Sequence, residues 1–139
     1  MSSVTSTLSM QTIRRLSNTE RLNAAGLLLT AAAMLVQIAA GSTLYPSLTG
    51  PLVLVGTALA ITFVPSRWTA YVGLAVPLVL GVGAIVAAAM TGGFVDQLAD
   101  TGYPGLLLGS VLHVIGLTIA VAGGAGTVQR RRTVTARGR

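Results

Sequence analysis

Residues 104–124 read PGLLLGSVLHVIGLTIAVAGG, a run without a charged side chain that decides the fold. At 1.5 Å per residue such a run, as a helix, is about 30 Å long, the thickness of a bilayer's hydrocarbon core. Pro104 sits where a first helical turn tolerates it, since the N–H it lacks has no intrahelical acceptor there. A backbone that satisfies its own polar groups is a requirement in lipid, so the run is expected to be a transmembrane helix.

Three further runs of this kind precede it. The first is expected over residues 23–44, the second over 48–64 and the third over 68–90, with the second the shortest. Ser17-Asn18-Thr19-Glu20 has the spacing of a capping box and should start the first helix just ahead of its apolar run. A cleaved signal peptide is the rival reading of this segment, because Arg14 and Arg15 precede it and Ile38-Ala39-Ala40 ends in small residues; the run is longer than the 7–15 residues usual for such a segment. Prolines at 46 and 51, and Pro65-Ser66-Arg67, mark turns. Pro77, inside the third run, removes one backbone bond and is expected to kink that helix. The sequence therefore predicts an all-α integral membrane protein: a four-transmembrane-helix bundle over 23–124, a cytoplasmic segment at 1–22 and a basic, disordered cytoplasmic tail at 125–139.

Composition points the same way. Hydrophobic residues make up 53% of the 139 and charged residues 9%, far below the roughly 25% of soluble domains. There is no cysteine, which excludes disulfides, thiol chemistry and Cys-ligated metals. All nine basic residues are arginine, and with much Ala, Gly and Val this is the composition of a GC-rich bacterial genome. The net charge of +6 is confined to the ends of apolar runs, so it reads as a membrane flank rather than a nucleic-acid surface.

Four spans place Arg14, Arg15, Arg21, Arg67, Arg130, Arg131, Arg132, Arg137 and Arg139 on one side. Asp96 and Asp100 fall on the other, with no basic residue. The positive-inside rule makes the arginine side cytoplasmic, with both termini in, in the inner (plasma) membrane of the cell. Tyr45, Phe94 and Tyr103 fall at the outer boundary and Phe63, Trp68 and Tyr71 at the inner one, as an interfacial aromatic belt requires. Thr43-Leu44-Tyr45-Pro46 and Thr101-Gly102-Tyr103-Pro104 lie at equivalent outer corners, a faint sign of duplication whose bland reading is that Tyr-Pro suits such a corner.

Small residues mark where membrane helices touch. Gly105, Gly109, His113, Gly116, Ala120 and Gly123 share one face of the fourth run. Gly73, Pro77, Gly81, Ala84, Ala88 and Thr91 share one of the third, and Gly26, Thr30, Ala33, Gln37 and Ala40 or Gly41 one of the first. The second run offers Gly56 and Ala60 with Thr57 beside them.

His113 is the only histidine, and an ionisable group at membrane depth is a functional candidate by default. Gln37 lies at a similar depth, so a Gln37–His113 hydrogen bond is expected to satisfy both. A haem or proton role for His113 lacks company, since the chain has no second histidine and no acidic residue inside a span. Asp96 and Asp100, four apart, make at most a weak cation site and read as a solvated loop.

The sequence resembles the small multidrug-resistance transporters only in outline, because their membrane-embedded glutamate has no counterpart in a first span that offers Gln37. Four-helix thiol oxidoreductases need cysteine and voltage sensors need an arginine ladder, so no family is assigned. No catalytic, metal or cofactor signature stands out. The leading expectation is a non-enzymatic accessory or assembly subunit, or a homo-oligomer, whose partners are the lipid bilayer, other membrane subunits or itself. Anionic lipid is expected at the Arg130–Arg132 run. The alternative is a small transporter or channel with its polar centre at Gln37 and His113, and a haem-binding subunit ranks third.

Overall fold

A computed structural model describes residues 16–42, 48–64, 66–91 and 104–137. Four helices make up the described chain: α1 (Asn18–Ala39), α2 (Thr49–Phe63), α3 (Arg67–Thr91) and α4 (Pro104–Arg137). Among the described residues there is no strand. α1, α3 and α4 are long and apolar enough to cross a membrane, whereas α2, with 15 residues, is shorter. At 1.5 Å per residue α2 measures about 22 Å against about 33 Å for α1. Tyr45, Phe94, Asp96, Asp100, Tyr103 and the two Tyr-Pro corners, Pro104 apart, lie outside the described residues.

Local chemistry sets the helix ends. Ser17 caps α1: its Oγ accepts from the Glu20 backbone N–H at 3.3 Å, and its own N–H donates to Glu20 Oε2 at 3.0 Å. This reciprocal pair is the predicted capping box. α1 stops at Ala39 rather than continuing to residue 44. Gly41 adopts φ 85°, its N–H bonds the Ile38 carbonyl at 3.0 Å, and the Ser42 N–H bonds the Gln37 carbonyl at 2.9 Å. This is a Schellman termination, which needs the left-handed conformation that glycine supplies without strain. Gly41 is therefore a stop, exposed, and not part of a packing face.

At the other end of α2, Val64 is extended (φ −98°, ψ 110°), the conformation imposed on a residue that precedes proline. Ser66 then starts α3, its Oγ accepting from the Trp68 N–H at 3.2 Å and its carbonyl accepting from Thr69 Oγ1 at 2.6 Å. α3 continues through Pro77 as one helix.

α4 corrects the expectation of a disordered tail, because it runs on past Gly124 to Arg137. Its 34 residues measure about 51 Å, well beyond a bilayer core of about 30 Å. Tertiary contacts explain the extension. Thr127 and Val128 are buried, and Arg131 is bonded to groups outside its own helix.

The chain packs about α1, the helix with the largest buried share. Leu27, Ala31 and Met34 of α1 meet Leu54, Ala58 and Ile61 of α2, and Ala120 of α4 closes the cluster. α1 and α4 run antiparallel at backbone contact. A Cβ on Gly26 would collide with the Ala120 nitrogen and the Gly116 carbonyl oxygen, and one on Gly116 would lie 2.6 Å from Thr30 Oγ1. On α3, a Cβ at Gly81 would lie 2.8 Å from Leu117 Cδ2, and one at Gly73 2.7 Å from Ile61 Cδ1. Gly56, in contrast, is exposed with open space around it, so α2 turns Pro51, Leu54, Thr57 and Ile61 inward instead.

The outer flanks are apolar, as lipid requires. Val79, Ile85 and Met90 of α3 are 70%, 70% and 81% exposed. α2 sits low on α1: Gly50, near its start, lies against the Met34 side chain, and Ile61, near its end, reaches the level of Asn23.

Candidate functional site

Polar side chains gather at two depths. The first group is Gln37, Ser110 and His113. Gln37 Nε2 donates to Ser110 Oγ at 3.1 Å, joining α1 to α4. Gly109 makes room for it, since a Cβ there would lie 2.5 Å from Gln37 Cγ. Gln37 Oε1 has no hydrogen-bond partner among the described residues. His113, 7% exposed, lies one turn further along α4.

The expected Gln37–His113 bond does not form. The reason is the register of the antiparallel pair. Gly116 lies against Gly26 and Thr30, Gly109 against Ala33 and Gln37, and Gly105 against Ala40. This row sets Gln37 beside Gly109 and Ser110 and leaves His113 level with Thr30 to Ala33, one turn away. Counting residues from two span ends cannot resolve a one-turn offset, which is about 5.4 Å.

The second group lies where the three arginine-bearing segments meet, and it ties α1, α3 and α4 to one another and to the α2–α3 turn. Its deepest member is Asn23, 2% exposed, whose Nδ2 donates to the Gly73 carbonyl at 3.0 Å. Gly73 is four residues before Pro77, so its carbonyl is the one that Pro77, having no N–H, leaves without an intrahelical donor. Asn23 supplies the missing hydrogen from another helix. The same bond fixes the amide's orientation, because a carbonyl facing a carbonyl would have no proton between them. Asn23 Oδ1 is left without a hydrogen-bond partner among the described residues. Gly73, Gly123 and Gly124 surround Asn23, and a Cβ on any of them would press on its backbone or its amide.

One turn nearer the surface, Glu20 is buried at 7% exposure. Its Oε1 accepts from Arg131 Nη2 at 3.1 Å, while Oε2 holds the Ser17 cap. Arg131 Nη1 also donates to the Ser66 carbonyl at 3.1 Å, so one guanidinium links the start of α1, the α2–α3 turn and the extension of α4. Hydrogen bonds to charged partners are about twice as strong as neutral ones, and this pair is half-shielded from solvent. Arg130 and Arg132 face outward. Between these residues lies a small cavity lined by Glu20, Asn23, Ile61, Thr69, Ala70 and Thr127.

Sequence reading missed the roles of Asn23 and Arg131 and saw Glu20 only as a cap. One signal was present: an interior proline exposes the carbonyl four residues earlier, and an amide on a neighbouring span is a natural donor for it. Among the described residues, no three His, Cys, Asp or Glu side chains gather as a metal site would need.

The fold and its polar interior define a class, a small bundle of apolar helices compatible with a membrane protein. No family model, curated protein or solved structure matches the chain, so its function is argued from its own residues.

Proposed function

We propose that this chain is a multi-pass protein of the cytoplasmic membrane, with both termini in the cytoplasm, that serves as a non-enzymatic accessory or assembly component. The observation that carries the reading is how the interior polar groups are used. Asn23 to the Gly73 carbonyl, Gln37 to Ser110, and Glu20 to Arg131 and on to Ser66 each join one helix to another. α3 meanwhile presents a broad apolar flank at Val79, Val82, Ile85 and Val86, with open space at Gly83, available to lipid or to another membrane helix. Exposed Arg130 and Arg132 suit anionic headgroups, each worth about 1 kcal/mol near the surface.

Orientation is supported by geometry and charge together. The Glu20–Arg131–Ser66 links gather the start of α1, the α2–α3 turn and the end of α4 at one end of the bundle, and all nine arginines belong to these segments and their flanks. The positive-inside rule makes that end cytoplasmic. Single cysteines at Ser3, Gln97 and Thr135 are expected to react with an impermeant maleimide in intact cells only at position 97. Labelling at 3 or 135 defeats the orientation.

The function is tested by purification from native membranes in mild detergent. A stoichiometric membrane partner, or a defined homo-oligomer, is the expected result. A second reading, a small transporter or channel, has one observation in its favour: Gln37 Oε1 is buried without a hydrogen-bond partner among the described residues, one turn from His113. A monomer without a partner that drives proton-coupled uptake in liposomes would replace the first reading with the second.

A further inference from the structure

We propose that the cavity bounded by Glu20, Asn23, Thr69 and Thr127 is a binding site for one water molecule that completes the polar seam between α1, α3 and α4. The cavity is on the scale of a single water, and Ile61 and Ala70 close its apolar side. Its polar walls have already committed protons elsewhere. Thr69 Oγ1 donates to the Ser66 carbonyl at 2.6 Å, Thr127 Oγ1 to the Gly123 carbonyl at 2.9 Å, and Asn23 Nδ2 to the Gly73 carbonyl at 3.0 Å. What remains are lone pairs on the two hydroxyls, Asn23 Oδ1 and the second Nδ2 hydrogen.

Asn23 is 2% exposed, and an unmet amide oxygen at that depth costs about 1–3 kcal/mol. The occupant must therefore donate. Charge then separates a water from a cation of similar size. The Glu20 carboxylate already faces Arg131 at 3.1 Å, so a second positive charge would enter a poorly solvated site with no counter-charge. A neutral donor carries no such cost, and water can also accept from the second amide hydrogen. Pro77 is the origin of the site: it frees the Gly73 carbonyl, that carbonyl orients Asn23, and Asn23 is left with an oxygen to satisfy.

The test is solid-state NMR on the full chain in lipid bilayers, following magnetisation from water into the protein. Transfer is expected to reach the Asn23 side-chain amide and Thr127 as early as it reaches exposed Arg130, while Leu27 stays dark. An Asn23 amide as dark as Leu27 overturns the proposal. Ala70→Val, which fills the cavity, should remove early transfer at Asn23 and leave Arg130 unchanged; survival of the Asn23 signal overturns it too. Should that variant not fold, Thr127→Val removes one acceptor at constant volume, and Asn23 transfer should slow at least twofold; an unchanged rate counts against the site. Exchanging choline chloride for sodium chloride should leave the Asn23 and Thr127 shifts where they are. Sodium-specific shifts with loss of water transfer would assign the cavity to a cation instead.

Discussion

The two ends of the α1–α4 pair are fastened differently. At the arginine end, Glu20, Asn23, Ser66, Gly73 and Arg131 bond across α1, α3, α4 and the α2–α3 turn, and α4 overhangs as an ordered helix. At the opposite end a neutral bond, Gln37 to Ser110, joins α1 to α4 among the described residues. Small residues let the backbones approach along the whole length, but among the described residues charge and a proline-freed carbonyl are added at the arginine end alone. In this chain close approach and polar fastening are separable. The arginine end is expected to be the stable part and the opposite end the first to open.

The largest effect should come from closing the backbone gap at the fastened end. A Cβ at Gly123 would lie 2.5 Å from the Asn23 nitrogen and 2.9 Å from the Thr19 carbonyl oxygen, all main chain that cannot step aside. Gly123→Ala is expected to cost about 3 kcal/mol, the upper part of the range for overpacking. Gly109→Ala, at the other end, meets chiefly the Gln37 side chain, which can rotate, and should cost about 1 kcal/mol. Reversible unfolding in mixed micelles measures both. Equal losses would erase the distinction between the ends.

Next in size is the charged clasp. Arg131→Met leaves buried Glu20 without its guanidinium and frees the extension of α4, with an expected cost of about 2 kcal/mol. Hydrogen exchange should quicken over residues 125–137 and stay unchanged near Ser110. Arg130→Met and Arg132→Met, on outward-facing positions, should do neither. Exchange that rises equally for all three variants would mean that net charge, not the clasp, orders the helix.

A smaller effect with a sharper signature concerns Asn23 and Pro77. Asn23→Ala leaves the Gly73 carbonyl without a donor and should cost about 1–2 kcal/mol. In a Pro77→Ala background α3 regains its own N–H at that carbonyl, so the cost of Asn23→Ala should fall by about 1 kcal/mol. A double-mutant cycle that closes additively would show that the two residues do not communicate. Smallest of all, Ser110→Ala removes the acceptor for Gln37 and should cost about 0.5 kcal/mol, typical of a single interhelical bond in a membrane.

Much of the chain was legible because its signals are local. The Ser17–Glu20 box works across three residues, Val64 is extended because Pro65 follows it, and uncharged runs of bilayer length announce apolar helices wherever their partners lie. Gly41 carries a local signal too, since a glycine just past an apolar run is where a helix stops. These features depend on chain geometry within a turn or two of each residue.

Partner choice depended instead on how the helices slide against one another. Gln37 meets Ser110 and not His113, Arg131 meets Glu20 and the Ser66 carbonyl, and Asn23 finds the Gly73 carbonyl across 50 residues of chain. A displacement of one turn leaves the apolar pattern of a span unaltered, so hydropathy cannot register it. It changes every hydrogen bond between helices, and the close fit of Gly26, Gly116 and Gly123 against opposing main chain selects one register. The sequence alone determined apolar helices and the charge asymmetry of their ends. Tertiary structure alone decided which polar groups meet, because that choice belongs to the packed pair and to neither helix by itself.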